Sequence, residues 1–262
     1  MTILEKIINS KIEEVKILKK LYSIKDLENR SLFQRKTTSL KTRLELSHHG
    51  IIAEHKRKSP SKFIINNDIK LQEVILGYDT ANVCGVSVLT DKKYFGGNTN
   101  DLLKARELTK IPIIRKEFII DEFQILEAKA CGADVILLIA SCLDKNQIKN
   151  LSEFAKSLNL EVLIEIHNEQ ELEKCLLNSI DIIGVNNRNL KTFEVDIENS
   201  INLSEIIPEN FVKISESGIS SAKEISILRK HGFKGFLIGE TFMREKDPGK
   251  EVLNMINEIR CN

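Results

Sequence analysis

Apolar positions at the start of the chain recur at helical spacing. Ile3, Leu4, Ile7, Ile8, Ile12, Val15 and Leu18 share one side of residues 2–20, with lysine and glutamate opposite. Ser23 is placed to cap a second short helix running to about Leu32, and residues 39–47 fit a third. From His49 the pattern changes. Short apolar runs at 50–55, 83–89, 111–115, 134–139, 161–166, 181–185, 211–215 and 235–238 read as strands. Between them lie amphipathic stretches at 100–109, 121–131, 144–158, 169–177 and 220–231. Asp144 and Ser220 suit N-caps, and Gly132 and Gly232 stand where a helix C-terminus favours glycine. Residues 189–200 break the rhythm and read as loop, ahead of a helix near 200–207. Eight strands separated by helix-length segments imply parallel βα units, and eight such units close a barrel. The expected fold is α/β: one (β/α)8 TIM-barrel domain over 1–262, with 1–48 as a helical N-terminal extension.

In such a barrel the active site lies at the C-terminal ends of the strands. Side chains alternate faces along a strand, so strand one, IIAEHKRKSPSK, puts Glu54 and Lys56 on one side and His55 on the other. Strand three, IPIIRKEF, puts Ile114, Lys116 and Phe118 on one face and Arg115 and Glu117 on the other. Strand five ends with Glu165 in phase with Leu163, strand six with Asn186 and Arg188, and strand seven with Glu216, Ser217 and Gly218. A single charged strand end is ordinarily a terminus surfacing into solvent. Five converging on one barrel mouth are not accounted for that way.

The set has a chemical logic. Acids (Glu54, Glu165, Glu216) and cations (Lys56, Lys116, Arg188) in a partly dry cleft hold each other's pKa values apart, so that a lysine donates a proton while a glutamate accepts one. His48, His49, His167 and His231 have no partner at metal-ligand spacing and are assigned to surface or packing roles. Proton transfer with neither metal nor cofactor is expected. A phosphate site is also legible: Gly218 in SESGIS and Gly239 in LIGETFM, followed by Glu240, stand after strands seven and eight, where such barrels hold phosphate. Ser59 in the first loop is a further candidate donor.

Composition narrows the class. With 262 residues, 42% of them hydrophobic, the chain can build one large core. A formal net charge of +1 gives no polycationic signal for nucleic acid, although local positive charge suffices for a small anion. The five cysteines show no C-x-x-C, which favours reduced thiols in a cytoplasmic protein. The longest apolar run, Val135–Ala140, is too short for a bilayer, and Glu5 and Lys6 interrupt any signal-peptide core.

Here the residues resemble a known family. IIAEHKRKSPSK, VSVLTDKKYFGG, PIIRKEFIIDEFQI, GADVILLI, LIEIHN, GVNNRNL, SESGIS and LIGETFM look like the successive signatures of indole-3-glycerol phosphate synthase, in family order over roughly 50–245. Ending at Asn262, the chain resembles the monofunctional form, without a fused phosphoribosylanthranilate isomerase. The resemblance implies a carboxy-lyase of tryptophan biosynthesis. Its substrate is 1-(2-carboxyphenylamino)-1-deoxyribulose 5-phosphate, cyclised with loss of carbon dioxide and water. It implies Lys116 as general acid, Glu165 as base and proton shuttle, and Lys56 as the holder of the substrate carboxylate. Glu54, Asn186 and Arg188 then orient the substrate and lysines, Glu216 and Ser217 complete the cavity, and Phe95 and Phe118 wall the anthranilate ring. A monomer is expected, with other tryptophan-pathway enzymes as candidate partners. Two departures stand out. The family usually follows SPSK with glycine, whereas Phe63 stands here, in a loop expected to fold over the site. RKEF carries Glu117 where Asp is commoner, on the face turned from the cavity, so little effect is expected. The alternatives are a phosphosugar isomerase, with a carboxylate/cysteine or paired-aspartate set, and a catalytically silent phosphate-ligand binder that has lost a member of the set.

Overall fold

In the computed structural model, which describes residues 1–60, 64–66, 68–189 and 192–261, the chain opens with three capped helices. Thr2 accepts from the Glu5 N–H and Glu5 answers the Thr2 N–H, starting α1 (Ile3–Leu21). The same reciprocal cap between Ser23 and Asp26 starts α2 (Ile24–Glu28), and Ser39 caps α3 (Leu40–Leu46). α2 stops short of the expected Leu32 because the chain turns at Asn29 and again at Phe33, and Leu27 and Phe33 bury together against Phe123 and Leu126.

The alternating part then runs β1 (Ile51–His55), α4 (Leu71–Thr80), β2 (Gly85–Leu89), α5 (Lys92–Phe95), α6 (Thr99–Leu108), β3 (Ile113–Lys116), α7 (Glu122–Ala130) and β4 (Val135–Ile139). A short 3₁₀ turn, Ala140–Cys142, leads to α8 (Lys145–Ser157), β5 (Glu161–Ile166), α9 (Glu169–Cys175), β6 (Ile182–Asn186) and α10 (Glu198–Ser204). β7 (Val212–Glu216), α11 (Ala222–Lys230), β8 (Gly235–Ile238), α12 (Glu240–Met243) and α13 (Pro248–Cys261) complete it. All eight strands pair in parallel and in sequence order, and β8 closes back on β1, giving the (β/α)8 barrel that the periodicity predicts. Strand and helix bounds agree with the expected ones to within a few residues. The amphipathic stretches singled out above did not include α4 and α13. One cap is corrected: Ser221, not Ser220, accepts the Glu224 N–H and starts α11, while Glu224 reaches back to both serine N–H groups.

Alternation sorts the strand residues into two cores. Ile52, Ile114, Val135, Leu137, Leu163, Ile182, Ile214 and Leu237 fill the barrel, and Ile51, Val86, Ile113, Ile136, Ile164, Ile183 and Phe236 pack outward on the helices. The bottom of the barrel is closed by α3, whose Leu40 and Leu44 join the interior cluster. Glycines make the room: a Cβ on Gly85 would stand 2.7 Å from Leu40 Cδ1, and one on Gly235 would stand 3.0 Å from Leu44 Cδ2. At the other end the interior row finishes in charge, with Glu54, Lys116, Glu165 and Glu216 each two residues beyond an apolar interior position.

The leader is joined to that end by a buried ion cluster. Lys11, on the inner face of α1 and 1% exposed, places its ammonium 3.1 Å from Asp91, 3.1 Å from Glu117 and 2.8 Å from Glu14. Burial works against the charge, but the Glu117, Asp91 and Glu14 carboxylates outweigh it and raise the Lys11 pKa. The Glu117 carboxylate goes to Lys11, although the residue itself still lines the cavity. It is not idle, because it also accepts from Thr90 Oγ1 (2.7 Å) and the Phe118 N–H (2.9 Å). Replacing Lys11 with methionine keeps the stem and strands Asp91 and Glu117 without their cation. The expected cost is about 3–5 kcal/mol, typical of breaking a buried pair from one side. Urea unfolding of Lys11→Met measures it, and a loss below about 1 kcal/mol would show that the cluster does not hold the leader.

Candidate active site

The charged interior ends surround one cavity of ≈ 390 Å³ at the C-terminal mouth. Its size suits a drug-sized ligand. The structure brings together every site residue read from the sequence: Glu54, Lys56, Ser59, Phe95, Lys116, Phe118, Glu165, Asn186, Arg188, Glu216, Ser217, Gly218, Gly239 and Glu240 all line it. Phe63 lies outside the described residues.

Lys116 stands at the centre. Its ammonium is 3.1 Å from Glu165 Oε2 and makes a closer ion pair with Glu216 Oε2. All three come from the interior row of β3, β5 and β7, two residues above the apolar fill. Burial alone would discharge the lysine, but Glu216, Glu165 and Glu54 reverse that and raise its pKa, so Lys116 waits as an ammonium. Its two carboxylates are not equivalent. Asn186 Nδ2 donates to Glu165 Oε1 (3.0 Å), while Glu216 Oε1 is buried without a hydrogen-bond partner among the described residues. Burial favours the neutral form of both; Lys116 and these extra donors overcome it at Glu165, whose pKa falls. At Glu216 burial and the repulsion from Glu165 win, and its pKa rises. The pair therefore separates into an ionised Glu165 and a Glu216 inclined to keep its proton. Gly184 on β6 makes space for Glu216, since a Cβ there would stand 2.4 Å from Glu216 Oε1.

A second ion pair lies beside the first. Glu54, 3% exposed, holds the Lys56 ammonium at 2.8 Å and accepts from Ser87 Oγ at 3.3 Å. Burial opposes its charge, yet Lys56 and Lys116 together bring its pKa below the usual carboxylate range. Arg57 turns the other way, pairing with both oxygens of Asp101 (2.5 and 3.1 Å) and so pinning the start of the loop after β1. His55 packs outward; burial holds its pKa at about 4, so the ring is neutral at ordinary pH. His49 is likewise buried, held at about 4 by burial, and accepts the Ile51 N–H at 3.0 Å.

One wall of the cavity is apolar. Phe95 and Phe118 meet with ring centroids 6.0 Å apart, opposite Leu137 and Ile139. Ile3, Leu4 and Ile7 of α1 close over the same space. The sequence reading gave the leader no part in the site, although its strongest signal was this apolar stripe. The other end is suited to an anion. Ser217 and Gly218 adopt left-handed backbone (φ +68° and +78°), a conformation costly for serine. A Cβ on Gly218 would strike Val195 Cγ1 at 2.3 Å. Thr241 Oγ1 donates to the Ile219 carbonyl (3.0 Å), tying the loops after β7 and β8 together. The Glu240 carboxylate is held by Arg244 and lies 3.9 Å from Arg188. Arg244 is a cation that the sequence reading missed; its signal was the four-residue spacing from Glu240.

His167 is the other residue missed. It was assigned to the surface or to packing, but its Nδ1 is 3.2 Å from Glu171 and its Nε2 is 3.7 Å from Glu165. The signal for His167 in the sequence is a carboxylate, Glu171, four residues on. Among the described residues no group of three or more His, Cys, Asp or Glu is placed to hold a metal ion. The cavity lining contains neither cysteine nor aspartate, so the isomerase alternative lacks its residues, and no member of the lysine–glutamate set is absent.

The chain resembles known proteins along nearly its whole length. A protein of Bacteroides thetaiotaomicron named indole-3-glycerol phosphate synthase is 46% identical over 259 residues, covering 98% of this chain and 99% of its own. One of the same name from Caldanaerobacter subterraneus subsp. tengcongensis is 41% identical over 258 residues, with 98% and 99% covered. Among solved structures, 3-hexulose-6-phosphate synthase from Salmonella typhimurium superposes with a TM-score of 0.64 at 13% identity, over 81% of this chain and 99% of its own. A mutant tryptophan synthase α-subunit from Pyrococcus furiosus gives 0.61 at 13%, over 82% and 98%. At that identity the two structures speak for the barrel alone. Residues 4–255 match the family described as Indole-3-glycerol phosphate synthase, and the chain belongs to that family: it is a decarboxylating, ring-closing enzyme of tryptophan biosynthesis.

Proposed function

We propose that Lys116 and Glu165 carry the proton transfers of this ring closure and that Lys56 meets the substrate carboxylate. The observation that supports this reading is the single Lys116 ammonium shared between Glu165 and Glu216 on the cavity floor. Lys116 gives its proton to the ribulose carbonyl oxygen as the anthranilate ring carbon bonds to that carbon. Loss of carbon dioxide returns the bonding pair to the ring and restores its aromaticity. Glu165 then takes a proton from the neighbouring methylene as the new hydroxyl, given a second proton by the recharged Lys116, leaves as water. Glu54 keeps Lys56 charged and in place, and Asn186 aims Glu165.

The substrate's two ends are served by the two ends of the cavity. The anthranilate ring takes the wall of Phe95, Phe118 and the α1 stripe. The phosphate takes the backbone of Gly218 and Gly239 with Ser59 and Ser217, and Arg188 and Arg244 supply charge. Glu240 contributes here through its backbone and by holding those arginines. We also propose a cytoplasmic monomer folded as one barrel domain with its leader. Five free cysteines and a site furnished entirely by one chain support it. No described helix is long and apolar enough to cross a membrane.

Indole fluorescence during incubation with 1-(2-carboxyphenylamino)-1-deoxyribulose 5-phosphate tests these roles. Lys116→Ala and Glu165→Gln should each lose on the order of 10²-fold or more in turnover, as expected of positioned acid–base groups. A variant that turns over like wild type removes that residue from the chemistry. Gly239→Val should raise KM on the order of 10-fold or more by displacing the backbone from the phosphate. It should also lower kcat, because a Cβ there would stand 2.7 Å from Glu54 Oε1 and push it from Lys56. An unchanged KM would take the anion site away from this loop.

A further inference from the structure

The reaction consumes one proton per turnover. The carbonyl oxygen leaves as water and needs two; the methylene returns one; and the carboxylate departs as neutral carbon dioxide, its bonding pair staying with the ring. One proton must therefore come from solvent into a site whose acid and base are buried.

His167 stands where that proton would pass. It follows β5 directly and lies in alternation with Glu165, so its ring comes back to the barrel mouth. Glu171 on the first turn of α9 fixes it, accepting the His167 backbone N–H at 2.8 Å and facing Nδ1 at 3.2 Å. Nε2 is then aimed at Glu165 Oε1, 3.7 Å away, and is buried without a hydrogen-bond partner among the described residues. The Nε2 of His55 is also orphaned among the described residues, but His55 packs outward, whereas His167 Nε2 faces a carboxylate of the site. A small rotation of the ring closes that gap to a hydrogen bond. Side-chain exposure rises outward, from 6% at Glu165 to 13% at His167 and 14% at Glu171. His167 and Glu171 line a second cavity of ≈ 530 Å³, which adjoins the first at Asn186 and Arg188.

We propose that Glu171, His167 and Glu165 form a proton relay that draws one proton per turnover from the outer cavity and recharges Lys116. A proton arriving at Nδ1 makes the imidazolium. Nε2–H passes to Glu165 Oε1, and the carboxyl group then turns to bring that proton to the spent amine, which faces Oε2 at 3.1 Å in the resting site. The neutral ring is left with its proton on Nδ1 and turns over to present its free nitrogen outward, which resets the chain. The relay rests on Glu165 as the base, and His167 acts through it as a positioning and proton-transfer residue.

Burial opposes a charged His167, but Glu171 and Glu165, with Glu216 farther off, outweigh it and raise its pKa, so the imidazolium is available near neutrality. The charged and titratable groups around it are Glu165 on β5, Glu171 and Lys174 on α9, Glu216 on β7, Lys116 on β3 and Cys142 on the 3₁₀ turn. Arg188, Glu194 and Asp196 face the outer cavity from the loop after β6.

The test measures kcat against pH in His167→Ala and Glu171→Gln, with and without added imidazole at constant ionic strength. Wild type should lose activity as pH rises through the elevated His167 pKa. His167→Ala should lose roughly tenfold in kcat, less than a direct acid–base group, with KM within about twofold. Imidazole should restore most of that loss and leave wild type unchanged. Glu171→Gln should move the alkaline limb to lower pH. A normal rate in His167→Ala overturns the relay, and so does a loss that imidazole does not repair. If His167→Ala fails to fold, Glu171→Gln decides by itself, and an unshifted limb overturns the proposal. Failure of the base assignment would appear separately, as an active Glu165→Gln.

Discussion

A closed barrel has room for charge only at its ends. At the floor Glu161, in phase with Glu165 on β5, accepts the Leu40 and Lys41 N–H groups of α3 (2.8 and 3.0 Å). Interior positions are stacked in layers, and a carboxylate or ammonium in the middle layers would be dehydrated with nothing to answer it. At the top layer, water, loops and neighbouring strand ends can answer it, provided that charges arrive in compensating sets. Here Lys116 compensates Glu165 and Glu216, and Lys56 compensates Glu54. Removing either lysine leaves buried anions, so the groups that organise the mouth are also the groups the chemistry uses. The same mutual dependence separates the pKa values. One ammonium cannot fully satisfy two carboxylates, and the one with fewer donors, Glu216, is pushed toward its neutral form.

The leader extends this logic beyond the barrel. α1 lays an apolar stripe over the cavity, yet an apolar stripe alone would slide. Lys11 gives the helix a fixed docking point, on carboxylates at the ends of β2 and β3. Glu117 lies between Arg115 below and Phe118 above, so the cluster also steadies the aromatic wall beside Lys116. In some proteins a buried ion cluster of this kind serves specificity of docking more than net stability.

Much of this was legible in the chain. Period-two alternation placed the strands, and hence which side of each faces the interior; Glu54, Lys116, Glu165 and Glu216 all proved to face it. What eluded the pattern shares one property: it depends on partners distant in sequence or on spacing outside the motif sought. Lys11 looks like any helix-surface lysine until β2 and β3 are folded beneath it. His167 lacked a metal-ligand partner but not a carboxylate one. Arg244 reads as solvated until its partner Glu240 is seen to face Arg188 of another strand end. Gly184 looks like a strand weakness until Glu216 fills the space it leaves.

The plug at the barrel floor bears on the order of assembly. Leu40 and Leu44 leave the ribosome before any strand exists, but the seat they occupy includes Gly85 of β2 and Gly235 of β8. The Gly50 carbonyl, just past the plug, accepts the Phe236 N–H of that last strand. Early-made leucines must therefore remain exposed until nearly the whole chain has been synthesised. Such long-range closure is slow, and it leaves apolar surface open to wrong partners meanwhile. The floor of the barrel, far from any chemistry, thus marks the interval in the life of this enzyme when it is most exposed to aggregation.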